Sequence, residues 1–439
     1  MTDYTPTAKT CTGARIRWLW FPSLHFGDGL LPSVIILATI MLRRYGLDNA
    51  QIAMYVSLLA TPFVLRPLFE MTVAHFRGTT KVWILSTEFI SAISLWSVAF
   101  TLPTGYWLQG TLCFMPFVVV AGIFHSIAAS RFYSAGPADA CSRPAWIAML
   151  FRSASLLLCV GIPAMLAGNM EVVTRNVRYS WSLVFYIMAG IEFFLWLWHS
   201  IFLPGGAGTP ADSPDLYGLH RRDCSRALDC MLSGWRNRLA LNFLTVFMLP
   251  QQLAALVSAL FLVDAPHNGG IGLSPQEFGL SLGTIGIIAA TAGYWAGTKA
   301  LARFGIRICL LPLTLLMSLY GVSLLYMSYN IAMPLSAVCL AVAVGGAACG
   351  NGYAAYAAVA ARFAAGRGRL FRRAAAASLA SLVAVTAGMF AGLLQMDIGY
   401  RQFFAIVTAA AAVSVALAAA YTAFSHKLSC NTEDDTTLL

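Results

Sequence analysis

The chain has 439 residues, of which 59% are hydrophobic and 10% charged, with a net charge of +10. A soluble domain carries about 25% charged residues, so this composition, with its mean hydropathy of +0.73, excludes a water-soluble globular protein. The basic residues are scattered between apolar runs rather than gathered on one polar domain, which excludes a nucleic-acid-binding module.

An apolar run of about 20 residues spans the hydrocarbon core of a bilayer. In chain order, such runs fall near 18–41, 50–70, 82–102, 108–130, 145–168 and 181–203. A second set follows near 239–263, 277–298, 306–328, 334–361, 374–394 and 402–424. The first run is too long for a signal-peptide core, and no A-x-A exit follows it, so it reads as a retained helix. The expected organisation is a tail over 1–17, a six-helix bundle over 18–203 and a polar linker over 204–238. A second bundle over 239–424 and a tail over 425–439 complete it.

The 28 Lys and Arg residues set the expected orientation. With the N-terminus inside, outer segments hold only Arg43, Arg44, Arg175, Arg178 and Arg401, while Arg66 and Arg152 lie within spans. All the others face the cytoplasm, so the positive-inside rule puts both termini there. The basic excess then anchors the chain on an anionic leaflet. The ten cysteines include no C-x-x-C pair and read as reduced hydrophobes, not as disulfides or a zinc site. No metal or cofactor is expected.

Six spans, a central linker and six more spans give an all-α integral membrane protein. Its layout resembles the major facilitator superfamily, whose two pseudo-symmetric bundles are related by an axis along the membrane normal. The segment Phe21 to Leu31, FPSLHFGDGLL, resembles the first helix of the AmpG-like muropeptide permeases. Tyr45 to Ile52, Arg66-Pro-Leu-Phe69, His75-Phe-Arg77 with Trp83-Ile84, and His125 to Tyr133 are similar to its following segments. In the second half, Gly350 to Tyr356, Gly388 to Gly392 and Gly399-Tyr400 are similar to its tenth and eleventh helices. The resemblance implies proton-coupled import of a cell-wall-derived glycopeptide across a bacterial inner membrane. It implies a functional monomer too, with the pathway inside one chain. Where the family carries acids, this chain has Ser126, Ser130 and Ala74; a serine cannot carry a proton as a carboxylate can.

Ionisable groups inside a bilayer are costly, so they are functional candidates. Asp28 lies between Gly27 and Gly29 in a run already interrupted by Pro22 and Pro32, where a broken helix is expected. Asp28 and Glu192 lead the proton-coupling candidates, followed by His125 and Glu88; Glu88 could instead pair with Arg66 or Arg152. Arg66 and Glu70, four residues apart, read as a gating pair on one helix face. Arg152 is a candidate anchor for an anionic solute, against the alternative of snorkelling. The second half is nearly acid-free and offers the neutral candidates Gln251, Gln252, Asn351, Tyr353 and Tyr356, with Pro250 expected to kink its helix. Trp18, Trp20, Trp107 and Trp181 read as interfacial belt residues. The small-residue runs at 345–348 and 374–377 read as packing surfaces.

Three function classes follow. A secondary transporter leads, since G-x-x-x-x-G-K-[ST] is absent and ATP hydrolysis by this chain is not expected. An intramembrane enzyme is disfavoured: H-E-x-x-H is missing, and Gly27-Asp28-Gly29 is not a G-x-G-D motif. A transporter-derived sensor or an uncoupled facilitator is the alternative that the missing acids favour.

Overall fold

The computed structural model describes residues 9–75, 79–134, 145–204, 235–363 and 369–426. Ten of its helical segments are long and apolar enough to cross a membrane. Two of them, Pro275–Tyr329 and Arg372–Ala423, are too long for a single crossing and turn back at Gly305 and Gly399. Twelve crossings result among the described residues. They are α1 (Lys9–Arg44), α2 (Asn49–Val73), α3 (Thr80–Thr101), α4 (Trp107–Ser134), α5 (Ala148–Thr174) and α6 (Val177–Phe202). Then come α7 (Asn237–Val263), α8 (275–304), α9 (306–329), α10 (Leu335–Phe363), α11 (369–398) and α12 (400–426). Each expected span coincides with one of these helices, shifted by a few residues at most ends. With an even number of crossings, both terminal helices end on one side, called the terminal end below; the other is the far end.

The two reversals each hinge on a single glycine. Gly305 has φ 79° and ψ 163°, and Gly399 has φ 78° and ψ 166°. A Cβ forbids that region, so glycine alone permits the chain to double back without a longer loop.

Within the first bundle, α3 runs antiparallel to α6. Lys81 Nζ donates to the Leu203 carbonyl at one end, and Ser182 donates to the Ala99 carbonyl at the other. In the second bundle, α8 and α10 meet through small residues. A Cβ at Gly346 would lie 2.6 Å from the Gly286 carbonyl, and one at Gly350 would lie 2.1 Å from the Ala290 carbonyl. Apolar area drives no association in lipid, so such backbone proximity supplies the dispersion contact that does.

Among the described residues, several helix pairs join the bundles. The first, α5 with α8, crosses where each helix carries a π-helical turn, Leu157–Gly161 and Ser281–Gly286. There a Cβ on Gly283 would fall 2.7 Å from Gly161 Cα. Along α2 and α11, Gly388 packs on Ser57 and Gly392 on Ala53. Between α1 and α7, Arg43 reaches Asp264 at the far end.

Several expectations need correction. The helix α1 is unbroken through Pro22, Gly27, Gly29 and Pro32. Its glycines admit neighbours instead: a Cβ on Gly29 would lie 2.8 Å from the Arg152 carbonyl, and one on Gly27 would lie 2.9 Å from His125 Nε2. The interruption expected at Pro250 is present: within the α7 crossing one helical piece ends at Val246. A new helix starts at Leu249, and the proline occupies its first turn, where no N–H is needed. Trp20 and Trp181 are buried rather than interfacial, and Trp181 Nε1 donates to Glu171 at 2.8 Å. Trp107 is half-buried edge-on against Tyr45. Helix already begins at Lys9, inside the expected tail, and resumes at Trp235, inside the expected linker. Most of the linker, the C-terminal tail and the side chains of Trp18 and Ala74 lie outside the described residues.

Candidate functional site

At the far end, polar side chains from both bundles meet around Asp264, the residue after α7. Arg43, near the end of α1, donates from Nη2 to Asp264 Oδ1. Tyr400 donates from its hydroxyl to Oδ2 at 2.9 Å, and Asn49 Nδ2 lies 3.2 Å from the same oxygen. Asn49 also lies 2.8 Å from Tyr400 Oη and 2.8 Å from Gln395 Oε1. Burial penalises the Asp264 carboxylate, yet bonds from Tyr400, Arg43, Asn268 and Asn49 outweigh it and hold its pKa below the ordinary value. A glycine turn shapes the same corner: Gly269 and Gly272 have φ 84° and 81° as the chain folds back over Asp264. The cluster ties α1 and α2 to α7, α11 and α12. Its acid escaped the sequence reading because one carboxylate just past an apolar run looks like an ordinary boundary residue.

Nearer the terminal end, four charged side chains from α1, α2, α5 and α11 converge. Arg66 lies within electrostatic reach of Asp28, Arg152 and Arg373 as well as Glu70. Its Nη2 is 3.5 Å from Ser126 Oγ. The expected Arg66–Glu70 gating pair is not the contact formed. Glu70 is taken by Arg131 of α4, which lies 2.7 Å from its carbonyl and 3.4 Å from Oε2. The bond to α4 fixes Glu70 across two helices, which a pair within one helix could not do. Arg152 and Arg373 are exposed. Arg152 lies within electrostatic reach of Tyr353, and Arg373 of Tyr356. Asp28 is 3.7 Å from His25 Nδ1, and its Oδ1 is buried with no hydrogen-bond partner. Arg373 had read as a topology anchor, because its place opposite Arg66 depends on how the bundles meet.

Inside the first bundle lies a second polar group. Glu88 does not pair with Arg66 or Arg152. Its Oε1 sits 2.6 Å from His199 Nδ1 and 3.6 Å from His125 Nδ1. Glu192 accepts from Ser91 at 3.0 Å. Thus three of the four proton-coupling candidates gather here, and Asp28 stands apart. The sequence signal for His199 was present: it lies seven residues after Glu192, two turns along the same face. The aromatic neighbours Phe193 and Phe194 point outward instead, both exposed on the bundle's lipid-facing side.

The neutral candidates of the second half divide. Gln251 is buried, and its Oε1 has no partner; Gln252 is half-buried beside it. Tyr353 is half-exposed and Tyr356 half-buried. Asn351 turns to its own helix, donating to the Ala347 carbonyl at 2.9 Å and facing Gly297. Ser126 and Ser130, which stand where the resembling permeases carry acids, are linked by a 2.8 Å bond from Ser130 Oγ to the Ser126 carbonyl. Among the described residues no group of three or more His, Cys, Asp or Glu could hold a metal ion.

No protein-family model matches the chain, and no curated protein matches it. Solved structures do. The nucleoside transporter NupG aligns with TM-score 0.66 and 17% identity, covering 93% of this chain and 98% of that one. A POT family transporter in complex with a thioalcohol-conjugated peptide aligns with TM-score 0.66 and 13% identity, covering 94% and 96%. A bacterial homolog of the human lysosomal transporter Spinster, inward-facing and unoccupied, aligns with TM-score 0.63 and 15% identity, covering 95% and 97%. At these identities the likeness shows the fold alone: an all-α membrane architecture shared with these solved structures.

Proposed function

We propose that this protein is a secondary transporter that carries a polar, anionic small solute between its two bundles by alternating access. The observation that carries the reading is the pairing of the Asp264 cluster with the arginine group. The first fastens the bundles at the far end, and the second presents Arg66, Arg152 and Arg373 on facing helices nearer the terminal end. Positive charge gathered in a low-dielectric setting favours an anion, and guanidinium binds carboxylate or phosphate through two parallel hydrogen bonds. Tyr353, Tyr356 and Gln251 add hydroxyl and amide groups for the neutral part of such a solute.

The basic-residue bias supports a cytoplasmic terminal end, which makes this conformation inward-facing in an inner membrane. The resemblance to muropeptide permeases makes a cell-wall glycopeptide the first solute to test. Proton coupling is part of the proposal and rests on the buried carboxylates. A single chain contains every element named, so the working unit is a monomer.

The test is solute counterflow in proteoliposomes with labelled muropeptides, peptides and amino-sugar phosphates. Counterflow that Arg152→Gln weakens by raising the KM for an anionic solute supports the reading, and binding without counterflow would leave the sensor alternative. Ser126, which meets Arg66 where the resembling permeases have an acid, is the observation that keeps that alternative in view.

A further inference from the structure

The polar group inside the first bundle holds four titratable side chains, all nine-tenths or more buried: Glu88, His125, Glu192 and His199. They border a cavity of about 10 Å³ together with Gly27, Thr87 and Ser91, His199 joining through Glu88. That volume suits one water molecule, and the lining supplies the polar partners it needs. Glu88 Oε2 and both ring nitrogens of His125 have no hydrogen-bond partner within the protein.

The contacts around His199 bear on the protonation of the Glu88–His199 pair. Ser23 Oγ of α1 lies 2.9 Å from the Trp20 carbonyl and 2.8 Å from His199 Nε2. With the hydroxyl hydrogen directed to the carbonyl, the second contact takes its hydrogen from the imidazole. The 2.6 Å contact between His199 Nδ1 and Glu88 Oε1 needs another hydrogen. In that arrangement the pair carries two hydrogens, one more than a carboxylate beside a neutral imidazole. Its net charge is then zero, which is far less costly in a bundle core than a lone negative charge.

The surrounding charges leave this count intact. On α3, Lys81 is directed to the Ser200 and Leu203 carbonyls. On α4, Arg131 is directed to Glu70. On α1, Asp28 is beside His25. From α5, the Cys159 thiol lies within electrostatic reach of Glu192, which is itself within reach of Glu88. No Lys or Arg lines the cavity.

We propose that the Glu88–His199 pair is the exchangeable proton site of the transport cycle, loaded in this conformation and emptied when α1 shifts. The inference rests on the transport reading above and adds the residue that senses the proton, Ser23. One proton from water enters through the cavity, past His125 and Glu192, and the pair's charge rises from minus one to zero. No other bond forms or breaks. When α1 moves, His199 loses Ser23 as acceptor, the second hydrogen has no partner, and the proton returns to water. Because α1 also carries Asp28 to the arginine group, one helix connects the proton site with the solute site.

The test is infrared difference spectroscopy of the purified protein in nanodiscs during a pH titration, with no solute present. The wild type is expected to show a carboxyl and imidazole transition that Glu88→Gln abolishes. Ser23→Ala, which removes one hydroxyl, is expected to keep the transition but weaken proton binding roughly tenfold. Identical titrations of the wild type and Glu88→Gln overturn the proposal, and so does a Ser23→Ala midpoint equal to that of the wild type. In proteoliposomes, Glu88→Gln is expected to retain counterflow and lose pH-driven accumulation; accumulation that persists also overturns it. A Glu88-dependent transition in a protein that shows no counterflow would sink the transport reading and leave the proton site standing.

Discussion

Arg43 and Asp264 form an ion pair across the two bundles, joining the far ends of α1 and α7. Asp264 is 2% exposed and Arg43 21%, so the pair is shielded without being sealed. Such a contact can both hold a closed state and release it, because water reaches the guanidinium when the helices part.

Asp264→Asn is expected to open the far end. Breaking a buried ion pair costs about 3 kcal/mol, which shifts a two-state equilibrium roughly 100-fold. Electron–electron distance measurements between spin labels at positions 47 and 267 would read the change. An unchanged distance distribution would show that the cluster is not the fastening.

The same contact gives a pH dependence with a defined sign. The Asp264 pKa is held below its ordinary value, so its stabilisation is complete above that ordinary value. It is lost as the pH falls through the lowered value. Acidification is therefore expected to widen the far-end distances in the wild type and to have no such effect in Asp264→Asn. A wild type insensitive to acid would contradict this.

Arg152→Gln and Arg373→Gln are expected to raise the KM for an anionic solute about tenfold each. A charge-assisted hydrogen bond contributes about 1.5–3 kcal/mol, and these side chains are exposed enough for the lower figure. Uptake kinetics with an anionic and a neutral analogue would separate the outcomes: equal losses for both would point to misfolding rather than to charge recognition.

Gly283→Leu is expected to abolish transport. The new side chain would meet the Gly161 backbone at the α5–α8 crossing, and overpacking of this kind costs about 1–3 kcal/mol. Retained uptake would mean that the two helices never approach this closely in the working cycle.

Gly399→Ala is expected to lower thermal stability without changing the solute KM. The substitution forces a side chain into a backbone region that costs about 1–3 kcal/mol, at a reversal with open space around it. The melting temperature in detergent would measure it, and an unchanged value would imply that the turn relaxes.

Apolar run lengths were enough to place the twelve crossings found among the described residues, because each helix satisfies its backbone hydrogen bonds alone in lipid. Even the reversals at Gly305 and Gly399 were legible as gaps between runs. The costly groups were legible as well: Glu88, His125, Glu192 and Asp28 stand out in apolar surroundings whatever lies beside them. Their partners were not. Glu88 meets His199 of a helix more than one hundred residues away, Glu70 meets Arg131 rather than Arg66, and Arg43 meets Asp264 across the bundle interface. Which polar group faces which depends on helix rotation and on how the two bundles dock. Those are set by small-residue contacts such as Gly161 on Gly283, which leave no periodic trace in the sequence. Local composition determined that this chain lies in a membrane as twelve helices; only the packing of those helices decided where its charges meet.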